Sequence, residues 1–212
     1  MRTRLIRRGI RSCIAAVVIL TFVPWAAAAL ITPGQTIYAV SEPDPSGGTI
    51  LATSGPVPFV SATFSGTLTS TVISGDTNNL LGGLTFTYLL ADDPSSATQI
   101  GRFTINGFAG FQTDVSYLSG NGVAPALTDR SIGLGDVVGF SFLGAPVGSG
   151  NLLPGQFSEL MVVQTDSSTF AQSFSSVIDG GVVSVPSFAP VPEPATLALL
   201  SLGGLALIRR RR

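Results

Sequence analysis

The stretch Leu84-Thr-Phe-Thr-Tyr-Leu-Leu90 decides the fold class, because apolar and hydroxyl-bearing residues alternate along it as far as Tyr88. Val138-Gly-Phe-Ser-Phe-Leu143 repeats the pattern with Gly and Ser at the intervening positions. A period of two places each kind of side chain on its own face of a pleated strand. Both stretches therefore predict half-buried β-strands with one apolar face.

The same pattern recurs outward from these stretches, between turn signals rich in Gly, Pro, Asp and Asn. No run of ten residues has the pattern of an amphipathic helix, because the body lacks Lys, has two Glu and is interrupted by Gly and Pro. The predicted strands are Thr36–Val40, Thr49–Thr53, Phe59–Ser65, Thr67–Ile73, Leu84–Leu90, Ile100–Ile105, Thr113–Leu118, Val137–Leu143, Ser158–Thr165, Thr169–Ile178 and Val182–Pro186.

Short strands at this spacing predict an all-β body, an antiparallel β-sandwich with jelly-roll-like connections. A β-helix is an alternative, but no period of about 18 to 25 residues repeats along the body. An outer-membrane barrel is another, but it needs strands of about ten residues and aromatic girdles, and the body is poor in Tyr and Trp.

The N-terminus has the three parts of a secretory signal. A basic stretch ends at Arg11, an apolar run extends from Cys13 to Val23, and Ala26–Ala29 supply small residues. The apolar run is short for a helix spanning about 30 Å of hydrocarbon. We expect residues 1–29 to form a signal helix that directs the chain to the secretion translocon. Signal peptidase would then cut near Ala28 or Ala29. An uncleaved membrane anchor is the alternative.

The body, residues 30–188, carries two arginines against eleven acidic residues, a net charge of −9 that disfavours nucleic acid as a partner. It contains no His, Lys, Cys or Trp, which excludes Ser–His–Asp, Ser–Lys and Cys–His catalysis as well as disulfides. Carboxylates alone could hydrolyse glycosides, but adjacent Asp92 and Asp93 lie in a turn sequence, Asp-Asp-Pro-Ser. We therefore expect no enzymatic activity and no catalytic residue.

The C-terminal segment, residues 189–212, combines three patterns. Pro192, Glu193 and Pro194 form a strip that the proline rings hold extended. A short apolar helix is predicted from Leu197 to Ile208, and the positive-inside preference holds the terminal arginines on the cytoplasmic side, namely Arg209, Arg210, Arg211 and Arg212. The apolar segment is short for a permanent span, so a transient anchor in the inner membrane is favoured over a plain tail anchor.

This tail resembles the PEP-CTERM sorting signal. The resemblance implies recognition of Pro192, Glu193 and Pro194 by an exosortase, a membrane-embedded transpeptidase of Gram-negative bacteria. It also implies a link to exopolysaccharide, biofilm and surface attachment. In the body, Gly101–Phe108 and Val138–Leu143 are similar to uncharacterised PEP-CTERM proteins, a resemblance that implies no activity.

No cofactor is expected from these patterns, apart from calcium as a candidate. Hard cations prefer carboxylate and amide oxygens in loops, and the candidate ligands are Asp76, Asn78, Asp92 and Asp93, with Glu42 and Asp44 in another loop. A complete calcium-loop motif is absent from the sequence, so solvated turns are the competing interpretation.

Aromatic residues in a Gly-rich stretch raise the alternative of a glycan platform. Phe108 and Phe111 flank Ala-Gly, and Tyr117 follows on a predicted strand, although packing under a loop is favoured for the phenylalanines. Arg102 and Arg130 are expected to form ion pairs with nearby aspartates.

Together these patterns predict an exported structural or adhesive protein of the cell surface or extracellular polymer matrix. An exosortase would process it, and exopolysaccharide is a candidate partner. A secreted glycan- or calcium-binding module is the alternative.

Overall fold

Twelve β-strands make up the regular structure of the protein in a computed structural model that describes residues 29–143 and 150–191. The strands are β1 (Thr36–Tyr38), β2 (Thr49–Thr53), β3 (Val57–Val60), β4 (Ser65–Ser74), β5 (Thr85–Asp92), β6 (Arg102–Asn106), β7 (Thr113–Leu118), β8 (Leu127–Arg130), β9 (Val137–Ser141), β10 (Leu160–Thr165), β11 (Phe170–Ile178) and β12 (Val182–Pro190).

The strands form two antiparallel sheets. One has the order β1-β8-β9-β6-β11-β12, and the other has the order β2-β4-β5-β10-β7 with β3 paired to β4. Strands that are not consecutive along the chain pair with each other, as β5 does with β10 and β6 with β11. The chain therefore passes repeatedly between the two sheets. The predicted antiparallel β-sandwich is confirmed.

The core lies between the sheets and is built from the apolar positions of the alternating strands. Phe86, Tyr88 and Leu90 of β5 are fully buried, and Tyr88 meets Phe103 of the opposite sheet with ring centroids 5.6 Å apart. The Tyr88 hydroxyl donates to the Phe188 carbonyl at 2.7 Å, which satisfies its polar atom inside the core. Burying each such aromatic side chain contributes about 1.5–3 kcal/mol to folding.

Several strand boundaries differ from the sequence prediction, and the strand predicted at Phe59–Ser65 lies instead at Val57–Val60. β8 was not predicted, because Leu-Thr-Asp-Arg has no apolar alternation, yet it pairs with both β1 and β9. β4 begins at Ser65 and passes through Gly66, where a Cβ atom would overlap the Ala91 carbonyl of β5. β12 continues to Pro190, since its outer edge has no strand partner that would need the missing proline N–H.

Residues that carry the predicted signal helix, the Pro-Glu-Pro strip, the C-terminal helix and the terminal arginines lie outside the described residues. Within 29–143 and 150–191, no helix has the length and hydrophobicity needed to cross a membrane.

Candidate functional site

The folded body ends directly beside the sorting strip. The Val191 amide donates to the Thr169 carbonyl at 3.2 Å, and the Thr169 hydroxyl donates to the Val191 carbonyl at 2.7 Å. Pro192 is the next residue along the chain. In the sequence, the strip therefore follows the last paired residue of the body directly.

Ile31 and the exit strand β12 both lie near the connection from β6 to β7. An added Cβ atom on Gly107 would lie 2.9 Å from Ala189 Cβ, which places the exit strand beside this loop. The next residue, Phe108, accepts a hydrogen bond from Arg130, and the same guanidinium donates to the Ile31 carbonyl of the entering segment. Ala29 to Ile31 run antiparallel to β7 toward this end of the sandwich, and β12 ends there.

The first pair of calcium candidates is held by internal hydrogen bonds. One carboxylate oxygen of Asp76 accepts the amides of Ser46 and Asn78 at 2.9 and 3.1 Å. The other accepts the Thr85 hydroxyl at 2.8 Å and the Gln164 side chain at 3.1 Å. The Asn78 side-chain amide donates to a backbone carbonyl, that of Pro43. Both oxygens of Asp76 are therefore already satisfied.

The second pair lies at the opposite end of β5. The Ser96 hydroxyl donates to Asp92 at 2.6 Å, and the Ser65 hydroxyl donates to Asp93 at 2.7 Å. Burial raises the pKa of Asp92, against a lowering contribution from the Ser96 hydrogen bond. Thr85 starts β5 and Asp92 ends it, a separation of about 23 Å at 3.3 Å per residue. The structure therefore does not bring the four candidates together.

Among the residues that the structure describes, no group of three His, Cys, Asp or Glu side chains is arranged to hold a metal ion. The glycan candidates are also dispersed between core and surface. Phe108 is fully buried and packs edge-on against Phe86 with centroids 6.0 Å apart, which confirms the packing interpretation for it. Phe111 and Tyr117 are partly buried.

The two arginines of the body have different roles. Arg102 forms a two-pronged ion pair with Asp129, with one N–O distance of 2.7 Å, as expected. The ion pair predicted for Arg130 was wrong, because this side chain is 4% exposed and donates to four backbone carbonyls. The acceptors are Gly135 at 2.9 Å, Ile31 at 3.1 Å, Phe108 at 2.8 Å and Phe111 at 2.7 Å. Every residue has a backbone carbonyl, so the sequence gives no sign of where several of them will converge on one side chain.

An acidic cluster, defined by Glu42, Asp44 and Asp114, forms where the first residues of the body cover the edge strand β7. Leu30 forms an antiparallel bridge with Asp114, and Ser41 forms a parallel bridge with Tyr117. All three carboxylates are buried, and the Ser116 hydroxyl lies 3.5 Å from Asp44. The sequence singled out Glu42 and Asp44 but missed Asp114, which is 70 residues away from Asp44 and reaches it only through folding.

Burial and mutual repulsion shift the pKa values in this cluster upward. Burial first, then a hydrogen bond with Asp44 and the charges of Asp114 and Asp44, raise the pKa of Glu42 to about 7. Burial and the charge of Asp44 raise the pKa of Asp114 to about 6, although hydrogen bonds with the backbone of Ala29 and Val115 act to lower it. One oxygen of Glu42, Oε1, is buried without a hydrogen-bond partner.

We expect the chain in which Ala29 is still joined to Ala28 to become less stable as the pH rises from 4.5 to 7.5. The raised pKa values mean that the folded state binds more protons than the unfolded state in this window, so stability falls as those protons leave. The free energy of unfolding should drop by roughly 2–5 kcal/mol. Denaturant titrations of full-length chain made in the cytosol measure it.

Glu42→Gln should flatten this pH profile, because the amide cannot lose a proton. Asp179→Asn makes the same kind of change outside the cluster and should leave the profile as it is. A precursor whose stability rises between pH 4.5 and 7.5 would contradict the expectation.

The comparison with protein families identifies the tail. Residues 190–212 match the family model of the PEP-CTERM protein-sorting motif, beginning at the last residue of β12. Comparison with curated proteins and with solved structures finds no match for the chain. The matched motif implies export, a transient C-terminal membrane anchor and processing by an exosortase. The chain is therefore a protein with a PEP-CTERM tail, exported and sorted by an exosortase.

Proposed function

We propose that this protein is a structural or adhesive component of the cell surface or extracellular polymer matrix, delivered there when an exosortase cuts the tail. The sorting motif at residues 190–212 is the observation that carries the proposal. It is joined to the body at Val191 with no linker, so cleavage would release or transfer the folded sandwich itself.

The geometry of the body supports this route. From Val191 to the start of the apolar segment at Leu197 is six residues, at most about 20 Å of extended chain. The exit end of the sandwich would therefore face the membrane until the tail is cut.

The surface of the sandwich supports a role in a hydrated polymer. β4 exposes Thr67, Thr69 and Thr71 in part while Leu68 and Val72 are buried. Hydroxyl-bearing faces offer hydrogen bonds to sugar hydroxyls without adding charge. Exopolysaccharide is accordingly the proposed environment of the released body.

Replacing Pro192, Glu193 and Pro194 together by Ala should abolish processing in a host that has an exosortase. The variant should keep the mass of the uncut tail and stay in the membrane fraction, whereas the wild-type body should appear shortened in the extracellular polymer fraction. Thr196→Ala, just outside the strip, is the matched control and should be processed normally. Equal masses for wild type and triple variant would disprove exosortase sorting through this strip.

A further inference from the structure

The acidic cluster of Glu42, Asp44 and Asp114 has no positive partner within the described residues. The only cations there are Arg102, which pairs with Asp129, and Arg130, which is held by carbonyls. Glu42 is 6% exposed, and its Oε1 has no hydrogen-bond partner. A buried carboxylate in this condition strongly favours an adjacent positive charge.

The backbone at Ala29 lies beside this cluster. The Ala29 carbonyl accepts the Val115 amide at 3.3 Å, Leu30 bridges to Asp114, and the Ile31 amide donates to the Thr113 carbonyl at 2.9 Å. The Ala29 backbone also acts to lower the pKa of Asp114, as a neighbouring N–H group does. Ala29 is thus paired as part of the body, and the residue after it bridges to Asp114.

Signal cleavage would change the chemistry of this nitrogen. Ala26 and Ala28 give the small-x-small pattern of a cleavage site, and a cut after Ala28 hydrolyses the amide bond to leave a carboxyl group on Ala28 and an amine on Ala29. A cut after Ala29 would instead remove the carbonyl that pairs with Val115. The pairing therefore favours Ala29 as the first residue of the exported chain.

We propose that the α-ammonium group created on Ala29 by signal cleavage binds Asp114 and supplies the missing positive charge of the acidic cluster. This inference rests on the export step of the proposed function, and not on the sorting step. Its consequence is that the body reaches full stability only after cleavage, so the precursor is held in a less stable form until it has crossed the membrane.

The ion pair should reduce the fall in stability that the precursor shows between pH 4.5 and 7.5. An ammonium group next to Asp114 favours the carboxylate and lowers the pKa of Asp114, so this part of the fall should be lost. The amine, whose ordinary pKa is about 7.7–8.0, should have a raised pKa in the folded state. Where Asp114 is ionised, stability from this pair is complete up to about pH 7.7 and is lost as the pH rises through the raised pKa of the amine.

The absence of lysine makes the test specific. The exported chain has a single amine, the one on its first residue, so an amine-acetylating reagent reports on that group alone. The chain is exported through its own signal, purified in detergent and weighed to establish the first residue. At about pH 6.5, below both pKa values, we expect folded wild type to be acetylated about tenfold or more slowly than the same chain in denaturant, since an opposite charge raises the pKa by about 1–3 units.

Two variants separate ion pairing from burial. Asp114→Asn, with Asp179→Asn as the matched control, should bring the labelling rate to within about threefold of the denatured chain. Insertion of Gly-Ser between Ala28 and Ala29 moves the amine away and should do the same without altering the cluster. The pH midpoint of labelling should be raised in wild type, whereas burial without an ion pair would lower it.

A folded wild-type chain that begins at Ala29 and is labelled as fast as the denatured chain would overturn the proposal. So would a first residue other than Ala29, or stabilisation by millimolar Ca²⁺ that Asp114→Asn abolishes, which would assign the cluster to a metal. A chain that retains residues 1–28 after export would instead show that the export step itself fails, and the mass distinguishes that outcome.

Discussion

Replacing Arg130 by Met should lower the free energy of unfolding of the exported chain by about 3–5 kcal/mol. The guanidinium group ties together the entering segment, the connection from β6 to β7 and the turn from β8 to β9 through four carbonyl acceptors. Met fills much of the space but leaves these buried oxygens without donors. Urea titration of wild type and variant measures the difference.

Two further substitutions test whether the planar set of donors on Arg130, and not its charge alone, stabilises the body. Arg130→Lys keeps the charge but loses the planar fork of donors, so it should recover only part of the stability. Arg102→Met removes the partly exposed ion pair with Asp129 and should cost about 1 kcal/mol. If Arg130→Met proved no more harmful than Arg102→Met, the carbonyl cluster would not be an organising contact of this end of the sandwich.

Asp76→Asn should lower the free energy of unfolding by about 2–3 kcal/mol. The carboxylate accepts four hydrogen bonds, and an amide would turn two of those acceptor positions into donors facing donors. Asp93→Asn is the matched control, because Asp93 accepts one side-chain hydrogen bond, from Ser65, and should cost about 1 kcal/mol.

A melting experiment with calcium distinguishes this explanation from a metal site at Asp76. Because both carboxylate oxygens are occupied by internal donors, the melting temperature of wild type should not respond to millimolar Ca²⁺ or to chelator. A calcium-dependent rise that is lost in Asp76→Asn would contradict it and restore the loop as a cation site.

The strands could be predicted where the pattern is local. Phe86, Tyr88 and Leu90 are spaced by two residues, and the pleat alone puts them on one face, so the sequence locates β5 within a residue or two. β8 escaped prediction because its position depends on β1 and β9, which satisfy its backbone. Its Asp129 and Arg130 resemble turn residues until their partners are known.

The candidate sites could be predicted only as residue types. Asp and Asn in loops correctly indicated where polar side chains make specific contacts. Asp76, however, accepts hydrogen bonds from backbone and side-chain donors of the protein itself. Phe108, considered for glycan binding, is a core residue packed on Phe86. The sequence shows whether a side chain is polar or apolar. Its position in the folded protein decides which groups it contacts.

By itself, the sequence determined the class of the body and the sorting address, because strand alternation and the Pro-Glu-Pro strip are patterns of adjacent residues. The sorting motif is defined by the order of residues along the chain, so it can be recognised from the sequence without the fold. Only the tertiary structure decided that Asp114 joins Glu42 and Asp44 beside Ala29, and that Arg130 binds carbonyls. Those groups are brought together by sheet pairing across tens of residues, where the cost of burying an unpaired charge selects the partner.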